Sequence, residues 1–133
     1  MGLMMKWYIA ARQKNKEEVR KLINNLSKKN QDISYDWTLT PDFKPFNENS
    51  KKSQEIASNI SKALLDTDIF ILISDPEGTD MYIELGIAIA YSMKNKNMKI
   101  YIVGEHNKRS LMHFHPAIIH ANNIDEVFKS ELL

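Results

Sequence analysis

Apolar positions along the 133-residue chain follow two rhythms. Some are short solid runs: Trp7-Tyr8-Ile9-Ala10-Ala11, Ile69-Phe70-Ile71-Leu72-Ile73 between Asp68 and Ser74, Met98-Lys99-Ile100-Tyr101-Ile102-Val103, and Ala117-Ile118-Ile119-His120-Ala121. Runs of this length bounded by polar residues predict buried strands. The second is unbroken and large on every position, as in a central strand covered on both faces. Ile33-Ser34-Tyr35-Asp36-Trp37-Thr38 is more mixed and reads as a further strand, second in chain order. Other stretches repeat every three or four residues. Val19, Leu22, Ile23 and Leu26 mark one amphipathic helix, and Ile56, Ile60, Ala63 and Leu64 a second. A third is capped by Thr79 and runs to about Lys94, with Met81, Leu85, Ile89 and Met93 as its core stripe. Capping-box spacing at Asn15/Glu18 opens the first helix, and the same spacing at Asn123/Glu126 opens a C-terminal one.

The predicted order is β-α-β-α-β-α-β-β-α. Such alternation implies an α/β fold in three layers, a parallel sheet with helices on both faces. Right-handed crossovers leave few topologies, and the flavodoxin-like, Rossmann-like five-stranded sheet in order 2-1-3-4-5 is the expectation. Residues 1–133 fit one domain. Residues 39–52 are polar, carry Pro41 and Pro45, and read as a loop longer than most connections, the kind that serves as a lid.

Composition narrows the chemistry. The net charge is +1, which argues against a general nucleic-acid surface. There are no cysteines, which removes disulfides, thiolate metal sites and a thiol nucleophile. No apolar run approaches the ~20 residues that span a bilayer. Met1-Gly2-Leu3-Met4-Met5-Lys6 lacks a signal-peptide core, and Lys6 stands where myristoylation wants Ser or Thr. The expectation is a cytoplasmic protein with no membrane partner.

In a sheet of this order ligands bind at the carboxyl ends of the strands, at the switch point between the first and third strands. Two loops meet there, Ala11-Arg12-Gln13-Lys14 and Ser74-Asp75-Pro76-Glu77-Gly78-Thr79. Gly78-Thr79 permits close backbone approach to a ligand before a helix begins. Asp80 and Glu84, four apart, share one face of that helix, and partial burial of such a pair raises one pKa. Gly86 costs ~1 kcal/mol mid-helix relative to Ala. With Ala88 and Ala90 it makes the helix thin, which suits close packing on the sheet. Each feature also has a plainer explanation: Asp80 as a charge complementing the helix dipole, Glu84 as a solvated residue, Gly86 as packing.

Three segments resemble the nucleoside 2-deoxyribosyltransferase superfamily, which includes deoxynucleoside 5'-monophosphate N-glycosidases. Tyr8-Ile9-Ala10-Ala11 is similar to its first strand, the segment from Ala63 to Leu72 to its helix, aspartate and apolar strand, and Glu84-Leu85-Gly86-Ile87-Ala88 to its Glu-apolar-Gly-x-Ala signature. The resemblance implies that Glu84 attacks the anomeric carbon of a (deoxy)nucleoside or its 5'-monophosphate. The base leaves, and a second base or water resolves the glycosyl ester. It implies that Tyr8 holds the nucleophile or the sugar, and that Ala11, Arg12, Gln13 and the Gly78-Thr79 turn bind substrate, with Lys14 beside a 5'-phosphate. The family's polar residue six positions before the glutamate is Gly78 here, which leaves its contacts to Asp75 or Asp80; Ser58 and Asn59 stand near the family's helix-2 aspartate. Its members complete their sites from a second subunit, here around Asn122 and Asn123, so a homodimer or higher homo-oligomer is implied, and no cofactor.

Other functions stay open on the residues: a nucleotide-binding sensor without catalysis, or an N-glycosidase for NAD-like dinucleotides. His113, His115 and His120, with His106 upstream, are imidazoles that a zinc ion uses. Their spacing straddles Pro116 and a strand without cysteine support, and the expectation is no metal. This loop, with Arg109, is expected near the site or a neighbouring subunit. Trp37, Phe43 and Phe46 flank the long loop and stack on a base or pack on the core, packing being favoured for Trp37. Lys14–Lys16 and Lys28–Lys29 read as solvated helix ends.

Overall fold

A computed structural model describes residues 3–133; Met1 and Gly2, on which part of the N-terminal reading rests, lie outside the described residues. Strands β1 (Lys6–Ala10), β2 (Asp32–Ile33), β3 (Ile69–Ile73), β4 (Lys99–Val103) and β5 (Ile118–Ala121) form one sheet in the order β2-β1-β3-β4-β5. Every pairing is parallel, with Tyr8 beside Phe70 and Ile71 beside Tyr101. The expected fold class and strand order are therefore observed. Helices α1 (Lys16–Lys28) and α4 (Ile124–Ser130) cover one face, and α2 (Ser50–Leu64) and α3 (Asp80–Lys94) the other.

β3 shows why a solid apolar run makes a central strand. Ile69 and Ile71 enter the core with Val19, Leu22 and Leu26 of α1, while Phe70 and Leu72 enter the core with Met81, Leu85 and Ala88 of α3. Alternation puts successive side chains on opposite faces, so a strand covered twice has no polar position to spare. Next to it, Tyr8 stacks on Phe70 with ring centroids 5.9 Å apart. Trp7 faces the other side and satisfies its indole N–H on Gln31 Oε1 at 2.9 Å.

Several local expectations are corrected. β2 ends at Ile33 rather than Thr38. Asp36 Oδ1 accepts the Thr38 N–H at 3.0 Å, bending the chain into a 3-10 turn over Trp37–Leu39, and the Trp37 indole reaches back to the Ile9 carbonyl at 2.6 Å. Asn15 precedes α1 without a side-chain cap: a 3-10 turn over Gln13–Asn15 leaves it at φ −95°, ψ 13°, away from the extended backbone that aims a capping side chain. Thr79 likewise precedes α3 with no capping bond from its side chain. Asn123 does cap α4, accepting the Glu126 N–H at 3.0 Å.

The α3 stripe holds for Met81, Leu85 and Ile89, but Met93 is 60% exposed. A third step of four residues drifts round a helix of 3.6 per turn, and Ala88 and Ser92 take the inner face instead. Gly86 and Ala90 point to solvent, and a Cβ on Gly86 would meet nothing within 4 Å, so Gly86 does not thin the helix against the sheet. Among the described residues no helix is long and apolar enough to cross a membrane.

Candidate active site

A cleft of about 460 Å³ opens at the carboxyl ends of β1 and β3. That is a size at which small-molecule sites occur. Ala11, Arg12, Gln13 and Lys14 after β1 form one wall, and Gly78, Thr79, Asp80, Met81 and Glu84 form another. The long loop closes the third side with Thr40, Pro41, Asp42, Phe43, Lys44 and Phe46, backed by Trp37 and by Ile56 and Ile60 of α2.

Glu84 sits one turn into α3 on its inward-turning flank, half-buried. Burial pushes its carboxyl up to about 7; the Tyr8 hydroxyl pulls it down, and the charge of Asp80 adds to the rise. Tyr8 lies under the cleft on β1, fully buried, and its hydroxyl meets no partner at hydrogen-bond geometry. Burial first, and the Glu84 charge second, hold that phenol well above its ordinary pKa, so it stays a neutral donor facing a carboxylate. Asp80, exposed on the first turn of α3, completes the group on the cleft side.

The turn before α3 is built around Asp75. Its side chain exposes only 6% of its surface, with Lys14 Nζ at 3.1 Å and Arg12 Nη1 at 3.3 Å. Burial pushes this carboxyl up, but the Glu77 N–H, Lys14 and Arg12 outweigh that and hold it below the ordinary carboxylate range. Tyr82 donates its hydroxyl to the Asp75 carbonyl at 2.6 Å. Gly78 follows at φ +113°, and a Cβ there would stand 2.8 Å from Met81 Cε and 3.3 Å from Arg12 Cγ. The turn thus needs glycine for its backbone, since side chains rarely adopt a φ of this sign.

The structure therefore brings Ala11, Arg12, Gln13, Gly78, Thr79, Asp80 and Glu84 around one cleft, with Tyr8 beneath it. Asp75 stands behind the wall as the anchor of Arg12 and Lys14. Asn122, at the end of β5, is exposed, does not line this chain's cleft, and donates Nδ2 to Glu126 Oε1 at 3.2 Å. Trp37 both packs on the core and lines the cleft. Ile56 and Ile60, which the 3.6-residue period assigns to a core face, line it too; the exposed loop ahead of α2, not the period, was their signal. Glu77, paired with Arg12, lies in the nominated loop, but nothing in the sequence singled it out from its neighbours there.

The loop side is held by its own backbone acceptors. Asn49 Nδ2 donates to the carbonyls of Phe43 and Pro45 at 2.7 and 3.0 Å, and Ser53 Oγ to that of Phe46 at 3.1 Å. The Phe43 and Phe46 rings meet edge to face with centroids 5.3 Å apart. The histidines are engaged elsewhere. His113 Nδ1 lies 2.6 Å from Ser110 Oγ, His120 Nε2 lies 2.7 Å from the His113 carbonyl, and His115 Nδ1 accepts the Ala117 N–H at 3.0 Å. Burial, then Arg109 and His120, lower the His113 pKa. Among the described residues no group of three or more His, Cys, Asp or Glu is placed to hold a metal ion.

Comparison with solved structures finds the same fold in Clostridium botulinum CMP N-glycosidase, BcmB, with a TM-score of 0.62 over 96% of each chain at 18% sequence identity. No family model matches the chain, and no curated protein matches it.

Proposed function

We propose that the chain is a divergent member of the nucleoside 2-deoxyribosyltransferase superfamily. Its proposed activity is to cleave or transfer at the N-glycosidic bond of a (deoxy)nucleoside or nucleoside 5'-monophosphate. The observation that carries the proposal is a half-buried glutamate, Glu84, on the wall of the cleft with a buried phenol hydroxyl, Tyr8, facing it. The similarity in fold to a CMP N-glycosidase supports the same reading.

In this reading the ionised Glu84 carboxylate attacks C1' of the sugar. A C–O ester bond forms as the C1'–N bond breaks, and the electron pair departs with the base, which takes up a proton. Water then attacks the ester carbon C1' and loses a proton, which balances the one the base took; the sugar is released and Glu84 returns to its carboxylate, while a second base that attacks in place of water and loses its N–H proton gives transfer. The Tyr8 hydroxyl holds the carboxylate in position for attack. Asp80 contacts the sugar or base from the same helix face. Arg12, Gln13, Lys14 and the backbone of Gly78-Thr79 take a 5'-phosphate where one is present, and Phe43 and Phe46 offer faces to the base.

Assembly belongs to the same reading. The outer side of α3 presents the exposed Ile83 with Gly86 and Ala90 beside it, while the half-buried Ile87 packs toward the core, on a helix that already buries its opposite side. A homodimer or higher homo-oligomer would cover it, and Asn122 would then serve a neighbouring copy's cleft. Chromatographic detection of free base across a panel of nucleosides and nucleotides, with Glu84→Ala as control, tests the activity. A panel that binds without base release from any member would leave a nucleotide sensor, and nicotinamide release would point to dinucleotides.

A further inference from the structure

Arg12 is placed to meet an anion in the cleft, yet it is already engaged. Its Nη1 lies 3.3 Å from Asp75 Oδ1 and 3.1 Å from Glu77 Oε2. The two carboxylates are held very differently. Asp75 is buried, accepts the Glu77 N–H at 2.9 Å and also pairs with Lys14. Glu77 has a backbone fixed by that bond, but its side chain is 73% exposed. Neither carboxylate lines the cleft, while Arg12 and Lys14 do. Two carboxylates against two cations leave this corner formally neutral before any ligand arrives.

We infer that Glu77 is a specificity-determining residue: its carboxylate competes with a phosphate for Arg12, and so sets how strongly the cleft prefers a 5'-phosphorylated ligand over the parent nucleoside. The inference rests on the cleft being a (deoxy)nucleotide site. An exposed ion pair is weakly held, so a phosphate can take Glu77's place. A guanidinium then meets the phosphate with parallel N–H donors. Asp75 stays, because it is buried and anchored by three donors, and it keeps Arg12 aimed. An uncharged nucleoside has nothing with which to displace Glu77 and leaves the pair intact.

The test is calorimetric titration of the full chain and its Glu77→Gln variant with inorganic phosphate, a 2'-deoxynucleoside 5'-monophosphate and the parent 2'-deoxynucleoside. The substitution keeps the backbone bond and removes only the charge, so folding is not at issue. The expected result is that phosphate and monophosphate bind about three- to fivefold tighter, the scale of one exposed ion pair. Nucleoside affinity stays within about twofold, the gain shrinks at high salt, and Arg12→Ala in the Glu77→Gln background abolishes it. Unchanged or weaker phosphate and monophosphate binding overturns the inference, as does equal tightening of the nucleoside or a failure of both proteins to bind phosphate. If phosphate binding tightens while neither nucleoside nor nucleotide binds, the competition for Arg12 stands and the nucleotide reading of the cleft falls.

Discussion

The Tyr8 hydroxyl on β1 is buried without a hydrogen-bond partner in good geometry and faces the Glu84 carboxyl on α3, whose pKa it holds down against burial. That relationship joins the sheet to the cleft and makes Tyr8 a positioning residue in the proposed chemistry. Tyr8→Phe removes the donor while keeping the ring stacked on Phe70. The Glu84 pKa then rises above about 7. The acid limb of the pH–rate profile moves to higher pH with it. Stability changes by less than about 1 kcal/mol, because no well-made hydrogen bond is lost. Titration of Glu84 by carbon-detected NMR checks this directly; an unmoved pKa would contradict the link.

Glu84 also makes stability depend on pH. Its pKa is raised from 4.5 to about 7 by folding, burial being the main cause. The folded chain therefore binds more protons than the unfolded chain between those values. Stability falls as pH rises through that window, by at most about 3 kcal/mol. Glu84→Gln removes that contribution and is more stable than the parent at pH 8 but not at pH 4. Urea midpoints at the two pH values measure the difference.

The long loop is predicted to act as a shaped wall rather than a loose cover. Asn49 ties two of its carbonyls, so Asn49→Ala frees the Phe43–Phe46 segment. KM is expected to rise severalfold with kcat changed by less than about twofold, since the lost contacts hold the ligand and not the reacting atoms. Equal losses in both constants would place the loop in the chemical step.

Much of the fold could be read from the chain because its strongest signal, the solid run of β3, also sets the sheet's centre. The misreadings arose where local geometry overrode pattern. Trp37 sits in a stretch of mixed apolar and polar residues that reads as a strand, but its indole and the Asp36 turn pull it out of β2. Asn15 has capping-box spacing, but the preceding 3-10 turn fixes its backbone. Met93 matches a strict four-residue step, and the helix rotates past it. At the cleft, Arg12, Gly78, Asp80 and Glu84 were legible because the topology places their loops at a switch point. The ion pairs of Asp75 and Glu77 were not, since nothing in a one-dimensional pattern says which carboxylate turns inward.

Gly86 offers a test of the outer face of α3. Nothing within 4 Å opposes a Cβ there, and its backbone is helical. Gly86→Ala is expected to stabilise an isolated chain by about 0.5–1 kcal/mol. If two copies approach closely at this face, the same variant weakens their association instead. Thermal melts run beside sedimentation velocity separate the two, and a loss of stability with no change in assembly would contradict both.

Attack of Glu84 on the anomeric carbon, as proposed, makes base release depend on its carboxylate. Base release from a 2'-deoxynucleoside 5'-monophosphate should be measured for the parent chain and Glu84→Ala, beside ligand affinity for each. The expected result is free base from the parent, a loss of at least about a thousandfold in the variant, and affinity kept within about tenfold. Base release by Glu84→Ala at a rate near the parent's, with the same affinity, would contradict it.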